Sequence, residues 1–130
     1  MINPVVYIFI NKSLHMSAGK VGAQAAHAAM MGAIGSRTER QREWLKSPHR
    51  TIIVLEARDA DHIHNIEQYL FERGFGSKTI IDEGVNEIDP HVPTALTTAI
   101  LDKDNELVYK TFSSFSLYKD PIKINLELDR

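Results

Sequence analysis

The chain has 130 residues, enough for one hydrophobic core, and its 43% hydrophobic and 25% charged residues are typical of globular domains. The absence of cysteine excludes disulfides, thiolate metal sites and a cysteine nucleophile. The net charge of −2 differs from the basic balance that is usual in domains devoted to nucleic acids. No apolar stretch approaches the roughly 20 residues that cross a bilayer, and no signal-peptide pattern is present. These features predict a cytoplasmic protein.

The chain begins with a predicted strand followed by a long helix. Residues 5–10 form a nearly continuous apolar run, which is typical of a strand that is buried on both faces. A helix is then predicted to begin near Ala18, with Ser17 as its cap, and to continue to about Ile34. Gly35 is expected to end this helix.

A second, shorter helix is predicted next. Ser36 and Glu39 have the spacing of a capping box, in which each side chain bonds the backbone of the other residue. We expect the helix to run to about Lys46, with Trp44 and Leu45 anchoring it to the core.

The middle of the chain continues the alternation of strand and helix. The β-branched run Thr51–Ala57 predicts another strand, and Asp59 is a suitable cap for a third helix. This helix has apolar residues at helical spacing, namely Ile63, Ile66 and Leu70. Gly74 is expected to end it.

The remaining predicted elements are strands. They cover Ser77–Ile81, residues 95–101 and, as a short further strand, residues 107–112. We therefore predict an α/β fold with a mixed sheet of four or five strands and helices packed on both faces. The whole chain, residues 1–130, is expected to form one domain, and residues 113–130 receive no assignment.

The loop between the first strand and the first helix is a candidate anion site. The first turn of a helix presents unpaired N–H groups and the positive end of the helix dipole, and Gly19 and Lys20 lie in that turn. The segment lacks the glycine spacing of a P-loop. From the residues alone, an exposed lysine near a helix start is therefore the more common interpretation of such a segment.

A second candidate segment, residues 82–90, directly follows the third predicted strand. Ligands of open α/β sheets usually bind beyond the carboxyl ends of the strands, which makes Asp82 a candidate functional carboxylate. Because the segment holds four carboxylates in its first eight residues, a solvated acidic loop remains the alternative.

Together, the two segments resemble the peptidyl-tRNA hydrolases of the archaeal and eukaryotic type. The resemblance covers about residues 5–101. The first family motif, Met-Gly-Lys-Gly-Lys-φ-Ala-Ala-Gln-x-x-His-Ala-Ala, is matched by Met16, Gly19, Lys20, Ala23, Gln24, His27, Ala28 and Ala29. The second, Asp-Ala-Gly-x-Thr-Gln-φ-x-Pro-Gly-x-x-Thr, is matched by Asp82, Gly84, Ile88, Pro90 and Thr94.

The resemblance implies hydrolysis of the ester that joins a peptide to the terminal ribose of tRNA, by an activated water and without a cofactor. It assigns catalytic roles to Lys20, Asp82 and Thr94, whose side-chain ends should lie within about 10 Å of one another to share a reacting group. It also implies a homodimer. Further residues are expected to contact the substrate, namely Ser17, Gly19, Gln24, His27, Asn86 and Glu87.

The chain departs from the family pattern at several positions. Asn86 stands where the family has a threonine, and Glu87 where it has a glutamine. Residues 97–100 replace the closing Gly-Ile-Gly-Pro, and Ala18 replaces a lysine of the first motif. A competing hypothesis is therefore a module that keeps the fold without catalysis and binds RNA, an anion or a protein.

The remaining polar residues are more simply explained as structural. A single histidine on an alanine-rich helix, such as His27, is more often a packed core residue than a catalyst. His62 and His64 cannot share a metal ion, because residues two apart on a helix point in nearly opposite directions. A basic stretch is expected to form a solvated helix face: Arg37, Arg40, Arg42, Lys46, His49 and Arg50.

Overall fold

The computed structural model describes residues 2–81 and 91–119, which form a five-stranded sheet and four α-helices. The strands are β1 (Pro4–Asn11), β2 (Thr51–Ala57), β3 (Ser77–Ile81), β4 (Pro93–Thr98) and β5 (Leu101–Asp102). The helices are α1 (Ala18–Ile34), α2 (Thr38–Lys46), α3 (Ala60–Glu72) and α4 (Glu106–Phe112). The predicted α/β class is confirmed.

The sheet is mixed, with the strand order β2-β1-β4-β3 and β5 paired to the start of β1. β1 runs parallel to β2 and antiparallel to β4, and β4 runs antiparallel to β3. β3 therefore points in the same direction as β1 and β2. As a result, one end of the sheet, here called the carboxyl end, gathers Asn11, Ala57, Ile81 and Pro93; the opposite end is the amino end.

Helices cover both faces of the sheet, as predicted. Successive side chains of a strand point to opposite faces, and every residue of the central strand β1 is buried, so both faces are covered at this strand. Val6, Ile8 and Ile10 pack on the face that α1 and α2 cover. Val5, Tyr7 and Phe9 pack against residues of α3 and α4 on the other face. Within residues 2–81 and 91–119, none of the helices is long and apolar enough to cross a membrane.

The predicted capping box of α2 is wrong. The helix begins at Thr38, and its cap residue makes no side-chain hydrogen bond. The hydroxyl of Ser36 instead donates to the carbonyl of Gly32 at 2.7 Å and accepts from the backbone N–H of Ile100 at 2.8 Å. Leu45 is not an anchor either, since it is 70% exposed, whereas Trp44 packs against the core.

The predicted strand over residues 107–112 is also wrong, because this segment is helix α4. Asn105 caps the helix by accepting hydrogen bonds from two backbone N–H groups at 2.9 and 3.2 Å. The buried side chains recur at helical spacing, namely Val108, Thr111 and Phe112. β4 begins and ends earlier than predicted, and the separate short strand β5 follows it.

Candidate active site

The site is built at the carboxyl end of the sheet, where the loop after β1 leads into α1. Asn11, the last residue of β1, is buried, and its side-chain oxygen accepts hydrogen bonds from the N–H and hydroxyl of Ser13 at 3.0 and 2.6 Å. Its amide nitrogen donates to the carbonyl of Pro93 at 2.9 Å. The loop that leads to α1 is therefore tied to the first residue of β4.

The first turn of α1 carries Lys20 to this end of the sheet. Ser17 is the cap residue, as predicted, and its hydroxyl accepts a hydrogen bond from the N–H of Lys20 at 3.2 Å. Ser17 and Gly19 are exposed, and Lys20 is half-buried. The positive end of the helix dipole and the lysine charge therefore act at the same place, which favours negative charge on a ligand.

Thr94 and Gln24 form a buried polar pair one helical turn further along α1. Thr94 is fully buried, and its hydroxyl donates to the side-chain oxygen of Gln24 at 2.6 Å. The same hydroxyl lies 3.3 Å from the carbonyl oxygen of Ile80 on β3. Gln24, for which the family resemblance implies substrate contact, is thus turned toward the sheet.

The sheet is irregular at Thr94. Ala95 pairs with Ile80 and Pro93 pairs with Ile81, so Thr94 is an extra residue between two paired ones. Such irregularities re-aim a side chain and are common beside functional sites. This feature places the Thr94 hydroxyl between the strand pair and α1.

Two of the three side chains that are predicted to converge lie within the described residues. Lys20 and Thr94 both lie at the carboxyl end, joined through α1 and Gln24. Asp82, Asn86 and Glu87 lie outside the described residues. β3 ends at Ile81, directly before Asp82 in the sequence, and Ile81 pairs with Pro93 at the same end of the sheet. The convergence of Asp82 with Lys20 stays a prediction.

His27 is exposed, so its interpretation as a packed core residue is wrong. The reason is the rotation of α1, which turns Gln24 and Ala28 toward the sheet and leaves His27 on the outer side. Substrate contact by His27 therefore remains sterically open.

The departure from the family pattern at residues 97–100 lies away from this end of the sheet. Thr97 and Thr98 are the last two residues of β4 and are fully buried. The hydroxyl of Thr98 accepts from the N–H of Tyr7 at 3.2 Å and donates to the carbonyl of Ala99 at 2.8 Å. Since a strand rises about 3.3 Å per residue, Thr98 lies about 13 Å along β4 from Thr94.

Sequence reasoning missed Asn11 and the neighbouring ion pair. The ammonium group of Lys12 lies 2.8 Å from a carboxylate oxygen of Glu56 and joins the ends of β1 and β2. The available signal was the change from an apolar run to polar residues after Ile10, at the point where the predicted strand ends.

Two other features lie away from this site. The basic stretch belongs to α2 and the residues before β2, and a hydrogen bond from the N–H of Ile2 to Glu43 places α2 beside the amino end. A pocket of about 340 Å³ between Ile34, Lys78 and Thr98 also lies at the amino end. In the part of the chain that the structure describes, no three His, Asp or Glu residues are grouped to hold a metal ion.

Comparison with known proteins agrees with the motifs. The family model "Peptidyl-tRNA hydrolase PTH2" matches residues 5–118. A peptidyl-tRNA hydrolase of Pyrobaculum aerophilum is 35% identical over 117 residues, which cover 86% of this chain and 95% of that protein. A peptidyl-tRNA hydrolase of Thermoplasma acidophilum is 32% identical over 92 residues, covering 68% and 78%. The resemblance inferred from the sequence is thereby confirmed, and the chain belongs to the peptidyl-tRNA hydrolase PTH2 family.

Proposed function

We propose that this protein hydrolyses peptidyl-tRNA, releasing the peptide from the tRNA. The observation that carries the proposal is the position of Lys20 in the exposed first turn of α1, at the end of the sheet where β3 leads into Asp82. The names of the matched relatives support catalysis over the alternative of a non-catalytic binding module.

The proposed reaction is attack by water on the ester carbonyl. The carboxylate of Asp82 takes a proton from the water while the water oxygen bonds to the carbonyl carbon. Accepting this proton is the role of a general base, which a side-chain carboxylate can fill. The bond to the ribose oxygen then breaks as that oxygen accepts the proton held by Asp82, which restores both the ribose hydroxyl and the Asp82 carboxylate. The products are a peptide carboxylic acid and free tRNA.

Lys20 is proposed to stabilise the negative charge that develops on the ester oxygen, or a phosphate beside it. A preorganised donor at a helix start serves either purpose, because the positive charge is already in place when the negative charge develops. Lys20 lies three residues after Ser17 in the sequence. Its backbone N–H donates a hydrogen bond to the Ser17 hydroxyl, and this bond fixes the helical turn that carries the Lys20 side chain.

Thr94 is proposed as the third member of the site. The resemblance implies a catalytic role for Thr94, while its hydroxyl proton faces two acceptors within the protein, the side-chain oxygen of Gln24 and the carbonyl oxygen of Ile80. Further contacts with the tRNA are proposed for residues of α1 and its cap, and for the segment after β3: Ser17, Gly19, His27, Asn86 and Glu87.

Turnover of a model peptidyl-tRNA by the purified protein tests the function. An N-acetylated aminoacyl-tRNA is a suitable substrate, with release of the N-acetyl amino acid as the measurement. We expect turnover by the wild-type protein and its loss in D82N. Tight binding of this substrate with no hydrolysis would instead favour the binding module.

A homodimer in the cytoplasm is the proposed state, and it rests on the family resemblance. Sedimentation velocity at several protein concentrations tests the dimer directly. A single species with the mass of 14.7 kDa at all concentrations would contradict it.

A further inference from the structure

We infer that Gln24 and Thr94 act as one positioning unit, which holds the start of α1 at a fixed place against the end of β3. The inference rests on the proposed hydrolase function and gives Thr94 a role that differs from substrate contact. It starts from the 2.6 Å hydrogen bond between the two side chains, both of which are buried.

The donor and acceptor chemistry of the pair limits what Thr94 can do. A threonine hydroxyl carries one proton, and both groups near that of Thr94, the Gln24 side-chain oxygen and the Ile80 carbonyl, are acceptors. The proton is therefore already committed within the protein. Because Thr94 is also fully buried, its hydroxyl is not available to donate to an oxyanion of the substrate.

The position of the pair explains why it matters for the reaction. Gln24 follows Lys20 by four residues, so the two lie on the same side of α1, one turn apart. Thr94 is the extra residue opposite Ile80 and Ile81, the last two residues before Asp82. Through Thr94, the hydrogen bond therefore links the turn of α1 that follows Lys20 to β3, the strand that leads into Asp82.

A second bond holds the same part of β4 to the end of β1. The side chain of Asn11 bonds the carbonyl of Pro93, next to Thr94. The start of β4 is thus fixed both to the loop before α1 and to α1 itself. Loss of the pair should leave the fold intact while allowing the two proposed catalytic groups to shift relative to each other.

The experiment is a double-mutant cycle on peptidyl-tRNA hydrolysis. T94V keeps the shape of the side chain and removes the hydroxyl, and Q24M keeps the length and removes the strong acceptor. We expect each change to lower kcat by about 10- to 100-fold, since small misplacements of catalytic groups cost that much. KM should stay nearly constant, because neither side chain contacts the tRNA.

The double variant and a conservative variant separate positioning from the alternatives. If the two residues act only through each other, T94V/Q24M should be no slower than either single variant. T94S keeps the hydroxyl and should retain most of the wild-type kcat. A hydroxyl that contacts the substrate directly would give a further loss when T94V is added to Q24M, and this result would overturn the inference.

Stability measurements exclude a merely structural role. Denaturant unfolding of each variant gives its free energy of unfolding, and kcat is measured where every variant is folded. An unchanged kcat in Q24M, with or without a loss of stability, would overturn the inference, and so would an unchanged kcat in T94V. If T94V does not fold, the test rests on a lowered kcat in Q24M and a nearly normal kcat in T94S. Failure of the wild-type protein to hydrolyse the substrate would instead count against the proposed function.

Discussion

The Cα of Gly32 on α1 lies so close to the carbonyl oxygen of Thr98 on β4 that a Cβ atom would overlap it. The same Cβ would lie 2.7 Å from the hydroxyl oxygen of Thr97. Gly32 therefore sets the closest approach of α1 to the sheet. We predict that G32A lowers the free energy of unfolding by about 1–3 kcal/mol, as is usual for overpacking, in denaturant unfolding experiments.

A matched control lies on the same helix, at a position that faces solvent. Gly22 is exposed, and a Cβ there would meet no atom within 4 Å. G22A should therefore stabilise the protein by about 0.5–1 kcal/mol, the usual gain from replacing glycine in a helix interior. Equal effects of the two substitutions would contradict the close contact at Gly32.

Lys20 gives a prediction for activity. K20A removes the positive charge at the first turn of α1 and should lower kcat/KM by about 100- to 1000-fold, the range for loss of one oxyanion-stabilising group. K20R keeps the charge and should retain part of the activity. The measurement is the initial rate of peptidyl-tRNA hydrolysis for each variant.

A matched lysine serves as the control for the charge itself. Lys46 is exposed on α2, near the amino end of the sheet. K46A removes the same charge from the chain but should leave kcat/KM nearly unchanged. If K46A and K20A reduced the rate equally, the effect would reflect general attraction of tRNA and not a site at α1.

Long stretches of this fold could be predicted because their signals are local. Ser17 and Asp59 each cap the helix that follows them, and the bounds of α1, β2 and β3 agree with the sequence patterns. A cap needs only a side chain and a backbone N–H two or three residues away, so the sequence contains all of the required information.

The errors come from interactions between residues that are distant in the sequence. Ser36 was expected to cap α2, but its hydroxyl bonds Ile100, which only the folded topology brings near. α4 is the exception, because its apolar residues suit a strand as well as a helix and the signal that favours the helix, the cap residue Asn105, is local. The hydrogen bond between Gln24 and Thr94 could not be predicted either, because the two residues are 70 positions apart in the sequence.

His62 predicts a pH dependence of stability. Its Nδ1 accepts a hydrogen bond from the N–H of Arg58 at 2.9 Å. Partial burial, and then the positive charge of Arg58, lower its pKa below the ordinary value of 6.5, while Asp59 acts in the opposite direction. The unfolded chain therefore binds the proton more readily, and His62 makes the protein less stable as the pH falls through and below about 6.5.

The measurement is denaturant unfolding at several values between about pH 7.5 and pH 5.5. We expect H62Q to lose less stability than the wild-type protein over this range, because the group that takes up the proton is gone. His64, an exposed residue on the same helix, provides the control. Equal slopes for wild type and H62Q would contradict the contribution of His62.

The departures at residues 86 and 87 allow a test of substrate electrostatics. Glu87 places a negative charge where the family has a neutral amide, and tRNA phosphates are repelled by such a charge. We predict that N86T/E87Q raises kcat/KM by about five- to tenfold at low salt, the effect of removing roughly 1 kcal/mol of repulsion. The measurement is hydrolysis of peptidyl-tRNA at increasing salt concentrations.

Salt and a matched substitution decide whether the gain is electrostatic. Because salt screens exposed charges over about 10 Å at 0.1 M, the advantage of the double variant should shrink as salt is added. E87Q alone should give most of the gain, since Asn86 can already donate and accept hydrogen bonds. E72Q removes the same charge from the exposed last residue of α3 and should give little gain. A salt-independent gain, or an equal gain from E72Q, would show that Glu87 does not act on the substrate through its charge.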